Sequence, residues 1–178
     1  MLFRSSGRRL ARTSPVLAHL RAGFVHVFAR ERKGLTGGVD IETTSRLAGG
    51  FCWAETQFME LTGERLHHCE DALLTVRLGD RCTRHGEHAE QWAARIASVP
   101  HLTPEEVTVA DAALAAVLDR LRSCDSDTEF VELLDTVATP VLVDRYSAVR
   151  NSIDERIDGP TARLVDRALA NLAAPVTG

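Results

Sequence analysis

The sequence predicts an all-α protein: an antiparallel up-down four-helix bundle, with an extra amphipathic helix before it and a short helix after it. Three observations carry this expectation. Apolar residues recur at helical spacing through most of the chain. No stretch of useful length alternates apolar and polar residues as a half-buried strand does. The breaks between periodic segments are short, which makes successive helices antiparallel neighbours. Aromatics are only 5% of the chain, so small residues such as Ala, Leu and Val must make most helix contacts. A length of 178 residues suits one bundle with a sizeable core.

Two parts follow from charge and composition: residues 1–38 as a basic arm with an amphipathic helix, and residues 39–178 as the helical domain. The first part holds eight basic residues and one acid, whereas the second holds 13 basic and 24 acidic ones, so a net charge of −4 conceals a basic arm on an acidic body. The first residues, MLFRSSGRRLARTSP, are Arg-rich, contain Ser and lack acids. Two readings stay open: a transit peptide, or a basic tail that docks on the body, a protein or an anionic surface. The expected compartment is accordingly the cytoplasm, or an organelle matrix if residues 1–14 are part of a transit signal. Pro15 to Arg30 shows a narrow polar face (His19, Gly23, His26, Arg30) and a broad apolar one (Leu17, Leu20, Phe24, Val27, Phe28), which suits packing on protein or on a membrane surface.

Gly34 to Gly38 (GLTGG) marks a flexible break. Asp40 is placed to cap the next helix, which runs to about His67, with Gly63 as a point of loosening or early termination. Glu70 and Asp71 put acids where the dipole of the following helix favours them, and that helix extends towards Pro100. Thr103-Pro104-Glu105-Glu106 combines a cap, a first-turn proline and a capping box, and opens a helix to about Ser123. Ser126 with Glu129 is a second capping box. It begins a long segment with a kink or restart at Pro140, where the ring removes a backbone donor. Asp158-Gly159-Pro160 reads as a turn before a short terminal helix.

Two histidines stand on the wrong face of a helix. The apolar stripe of the second core helix runs Leu74, Leu78, Cys82, Ala89, Trp92, Ile96, and His85 and His88 fall inside it, three residues apart. On the preceding helix the inner positions read Ala48, Phe51, Glu55, Phe58. A carboxylate and two imidazoles aimed at one interior need compensation, because burying an unpaired charge is expensive. A metal ion supplies it; so does a buried hydrogen-bond network, and both readings stand at this point. Helical rise permits the meeting. With the turn centred near Glu70, Glu55 lies 15 residues before it and His85 and His88 lie 15 and 18 after it, so all three stand within one turn of the same level. Two histidines and a carboxylate suit Fe(II), Mn(II) or Zn(II). From the later helices Asp144, sharing a face with Val137, Pro140 and Val141, is the fourth candidate ligand. Asp119, Glu132, Asp135, Asp154, Glu155 and Asp166 read mostly as solvated charges.

A Glu from one helix and a three-residue-spaced ligand pair from the next resembles the ferritin-like di-metal carboxylate proteins. The stretches FCWAETQFMELTG and TRHGEHAEQWAARI look like the first two core helices of small bacterial ferritin-like proteins. The resemblance covers roughly residues 40–100. It implies a ferritin-like bundle with Glu55 in the place of the first glutamate, His88 as the histidine of Glu-x-x-His, and His85 in the glutamate position of that motif. It also implies iron as the cofactor, and oxygen-dependent oxidation or hydroxylation of a small molecule or modified nucleoside as the reaction class. The chain departs from the family pattern in one respect. All seven histidines lie at or before His101, so a second Glu-x-x-His cannot exist and a mononuclear site or a metal-free scaffold is as compatible as a di-metal oxidase. A homodimer would bring a second Glu55, His85 and His88 set and restore the missing half.

Other chemistry finds no support in the residues. Gly-rich phosphate loops and nucleophile elbows are absent, so no nucleotide cofactor is expected. Four cysteines without Cys-x-x-Cys spacing read as small hydrophobes in a reducing compartment. Glu64-Arg65-Leu66-His67 is a literal Glu-x-x-His at a helix end and reads as a surface feature. No apolar run reaches the roughly 20 residues of a transmembrane helix.

Overall fold

The computed structural model describes residues 40–174. The basic arm, the expected helix over residues 15–30 and the glycine break at 34–38 lie outside them. The described chain is helical throughout: α1 (Ile41–His68), α2 (Ala72–Ala93), α3 (Pro104–Val107), α4 (Ala112–Arg122), α5 (Asp127–Leu133), a π-helical segment (Leu134–Ala138), α6 (Thr139–Arg150) and α7 (Glu155–Ala173). One isolated bridge, Val99 with Leu102, is the only β pairing among the described residues. No described helix is long and apolar enough to cross a membrane.

α1 and α2 form the hairpin that the spacing anticipates. Contacts run in opposite chain directions, from Ser45 with Ala97, through Glu55 with His85, to Met59 with Cys82. α1 passes through Gly63 without a break. Asp40 occupies its N-cap without a side-chain hydrogen bond, whereas Asp71 caps α2 by accepting from the Leu73 and Leu74 amides. α2 stops at Ala93, short of Pro100. Beyond it the chain tightens into a turn, and the Ala97 amide donates to Ser45 Oγ on α1 instead of to a helical carbonyl.

The expected single helix over Thr103 to Ser123 is two helices. The capping box at Thr103 and Glu106 is present, but α3 lasts four residues before Thr108 leaves helical geometry at ψ 68°. Asp111 then caps α4 anew by accepting from the Leu114 amide. The break lets the Val107 carbonyl lie directly against α1: a Cβ at Gly49 would stand 2.2 Å from that oxygen, so only glycine fits there. At Ser126 half of the anticipated box forms. Its hydroxyl accepts from the Glu129 amide, while the Glu129 carboxylate reaches the Asp125 amide.

The helix does not restart at Pro140; it runs on through a π turn that accommodates the missing donor. The segment before Pro140 takes π geometry, and the Thr139 amide bonds to the Leu134 carbonyl. Pro140 is the second residue of α6, directly after the wider π turn. α6 runs parallel to α2, from Arg81 with Thr139 to Trp92 with Tyr146. The last helix is longer than expected. α7 begins at Glu155, bends where Asp158 takes φ −132° and ψ 58°, and continues to Ala173. It runs antiparallel along α2, from Arg95 with Thr161 to His88 with Asn171. The core between these helices includes Phe58, Leu78, Trp92, Leu118, Leu142 and Val165, all fully buried. Each such side chain contributes about 1.5–3 kcal/mol by leaving water.

Candidate metal centre

Glu55, His85 and His88 meet in that core and are 0%, 1% and 0% exposed. Each reaches it from the middle of a helix, where backbone groups bond within the helix and only side chains can pair. The two helices approach closely beside the site: a Cβ at Gly86, next to His85, would stand 3.1 Å from Met59 Sδ. His85 Nδ1 lies 2.5 Å from Glu55 Oε2, and the Phe58 ring stacks on the His85 imidazole at 4.9 Å, which sets the plane of the ring. His88 Nδ1 lies 3.3 Å from Glu55 Oε1 without the alignment of a hydrogen bond, and it makes no hydrogen bond among the described residues. Its other nitrogen, Nε2, faces the Asn171 amide of α7 at 3.1 Å. One ligating atom from each of the three side chains falls within 4.8 Å of the others.

The structure brings together three of the four candidate ligands. Asp144 is exposed and does not join them. Val137 is half-buried and Pro140 exposed, so the face drawn through Val137, Pro140, Val141 and Asp144 does not point inward. The buried line is Leu134, Ala138, Leu142, Tyr146 and Val149. Within α6 Pro140 and Asp144 share the outer side, and the π segment shifts the buried line that enters from Leu134 onto Leu142 and Tyr146. An i→i+5 turn holds one residue more than an α turn, so an α phase carried across it comes out rotated. Asp135 is not a solvated charge either: Arg77 donates to it at 2.8 Å and Arg81 also pairs with it. Asp119, Glu132, Asp154, Glu155 and Asp166 are exposed, as are Glu64, His67 and His68. All four cysteines are free, and of these only Cys124 is buried.

Two residues of the site went unread in the sequence. Tyr146, fully buried on α6, donates its hydroxyl to Glu55 Oε1 at 2.5 Å, and Trp92 Nε1 donates to the same phenol oxygen at 2.8 Å. Phe51 stacks on both rings, at 4.3 Å from Tyr146 and 4.8 Å from Trp92. A signal for Tyr146 did exist: it is the chain's only tyrosine. It stands at helical spacing between Leu142 and Val149, and a buried phenol needs a polar partner. For Asn171 the sequence carries no comparable signal.

The electrostatics follow from burial and contact. Burial pushes the Glu55 carboxyl up, but the charge and hydrogen bond of His85, together with the contact of His88, outweigh it and hold the group at about 2. Glu55 is therefore a carboxylate in ordinary solution. Burial, then the Glu55 charge and the hydrogen bond to it, raise the Tyr146 phenol well above 10 against the opposing pull of the Trp92 donor. Tyr146 thus stays a neutral donor beside the carboxylate.

The residues fit a metal ion on their own chemistry. The carboxylate is ionised, two imidazoles converge on it, and one imidazole nitrogen inside the cluster is buried without an aligned hydrogen bond, an arrangement that costs about 1–3 kcal/mol when nothing fills it. Comparisons with protein-family models, curated proteins and solved structures gave no match.

Proposed function

We propose that this protein is a metal-binding helical bundle of ferritin-like type, in which Glu55, His85 and His88 hold one transition metal ion: iron, with manganese or zinc as alternatives. The observation that carries the reading is a buried His88 Nδ1 that makes no aligned hydrogen bond, beside a buried carboxylate that also meets His85. Glu55 supplies the negative charge, Phe58 sets the plane of His85, and Asn171, with its amide turned so that Oδ1 accepts from the Nε2–H of a ligating His88, orients that ring. With iron bound, two histidines and a carboxylate with open positions supply the donor set for oxygen-dependent oxidation or hydroxylation of a small molecule or modified nucleoside.

Elemental analysis tests the reading, on protein purified without chelator beside a His85→Ala, His88→Ala double variant. Near-stoichiometric iron, manganese or zinc that vanishes in the variant supports it. Absence of metal from both, even after anaerobic Fe(II) loading, overturns it.

A second reading rests on the hydrogen bonds. Glu55 accepts from His85 and Tyr146, and Tyr146 accepts from Trp92, which forms a continuous buried network that needs no ion. On that reading the bundle is a metal-free scaffold that docks an anionic partner or surface through its basic arm. Salt-sensitive partner binding that disappears on deletion of residues 1–14 would favour it.

A further inference from the structure

Glu55 is met by three side chains, and only two of them belong to the Glu-His-His group. The third, Tyr146, comes from α6 and places its oxygen 2.5 Å from Glu55 Oε1, the same carboxylate oxygen that lies 3.3 Å from His88 Nδ1. We propose that Tyr146 is the fourth ligand of the ion held by Glu55, His85 and His88, bound through its phenolate oxygen. This inference rests on the metal-binding reading above.

Three arguments support it. The first is distance. Metal–ligand bonds of about 2.1 Å set neighbouring donor atoms about 3 Å apart, and the Tyr146 oxygen already lies 2.5 Å from one oxygen of the Glu55 carboxylate. The second is charge, which changes once a cation enters and offsets the Glu55 charge that keeps the phenol neutral. A divalent ion with one carboxylate and two neutral imidazoles leaves one positive charge uncompensated where the ligands are at most 1% exposed, an expensive arrangement in a dry interior. A phenolate brings the group to neutrality. Asp144, the other candidate anion, is exposed and cannot do so. The third is support for the oxygen. The Trp92 indole N–H can only donate, and it already points at the phenol oxygen at 2.8 Å, as an outer-shell partner of a ligating oxygen does. In the binding step the phenol O–H bond breaks, an oxygen–metal bond forms, and the proton leaves to solvent. No oxidation state changes.

The test uses the whole chain loaded anaerobically with Fe(II), oxidised with ferricyanide and desalted. A ferric–phenolate unit absorbs visible light by charge transfer, and resonance Raman excitation within that band enhances tyrosinate ring vibrations. Because the chain has one tyrosine, such vibrations in the wild-type protein assign Tyr146 without any substitution. The expected result is the band with its tyrosinate modes, and loss of both in Tyr146→Phe. Iron bound at one per chain without tyrosinate modes overturns the inference and leaves the Glu-His-His reading standing. Failure of the wild-type protein to hold iron, manganese or zinc overturns both.

Discussion

Tyr146 and Glu55 are 91 positions apart in the chain and share a hydrogen bond in its fully buried centre. That bond ties α6 to α1, while the Trp92 donor ties α6 to α2. One phenol thus fastens three helices at the level of the candidate metal centre. Replacing Trp92 by Phe removes the donor and part of a packed ring. The expected cost is about 1 kcal/mol for the bond and about 1–2 kcal/mol for the lost volume, read from urea unfolding. A cycle with Tyr146→Phe should return a coupling of at least about 0.5 kcal/mol. Additive effects would mean that the Trp92–Tyr146 bond contributes nothing.

Acid should weaken the fold through Glu55. Its carboxyl is held at about 2 in the folded protein against 4.5 as the ordinary value, so the folded state binds fewer protons than the unfolded one between those limits. The stabilisation is fully present above pH 4.5 and is lost as the pH falls towards 2. Urea midpoints measured across that window should fall more steeply for the wild type than for Glu55→Gln. Equal slopes would show that other carboxylates account for the acid response.

Two adjacent glycines of α1 should respond oppositely to the same substitution. Gly49→Ala forces a Cβ against the Val107 carbonyl and should destabilise by about 1–3 kcal/mol. Gly50 has nothing within 4 Å of its Cβ position, and Gly50→Ala should stabilise by about 0.5–1 kcal/mol through helix propensity. Thermal unfolding of both variants checks this, and a neutral Gly49→Ala would mean that α3 does not lie on α1 as described.

Metal affinity should depend on Asn171 and not on Asp144. Asn171→Ala removes the group facing His88 Nε2 and should weaken binding about 10–100-fold in chelator competition. Asp144→Ala should leave the affinity unchanged, since that side chain is exposed. A large loss in the Asp144 variant would return it to the ligand set.

The sequence by itself determined the helical class of the described chain, the α1–α2 hairpin and the convergence of Glu55, His85 and His88. These depend on local quantities. Side chains three and four positions apart share a helix face, each residue adds a fixed rise, and the short Cys69–Asp71 connection leaves little freedom in the register. Helix ends were less legible. α2 ends early where Ser45 of the facing helix takes the Ala97 amide, and α3 is cut off where Val107 turns onto Gly49, so each boundary depends on a distant partner. The far wall of the site belongs to the tertiary structure alone. Asp144 shares the outer side of α6 with Pro140, and the π segment before them aligns Tyr146 with the buried line from Leu134. Asn171 gains its role because α7 lies along α2 and brings its last turn to His88, 83 positions away. Periodicity states which face of a helix is apolar, but which polar group completes a buried cluster depends on how helices far apart in sequence pack together.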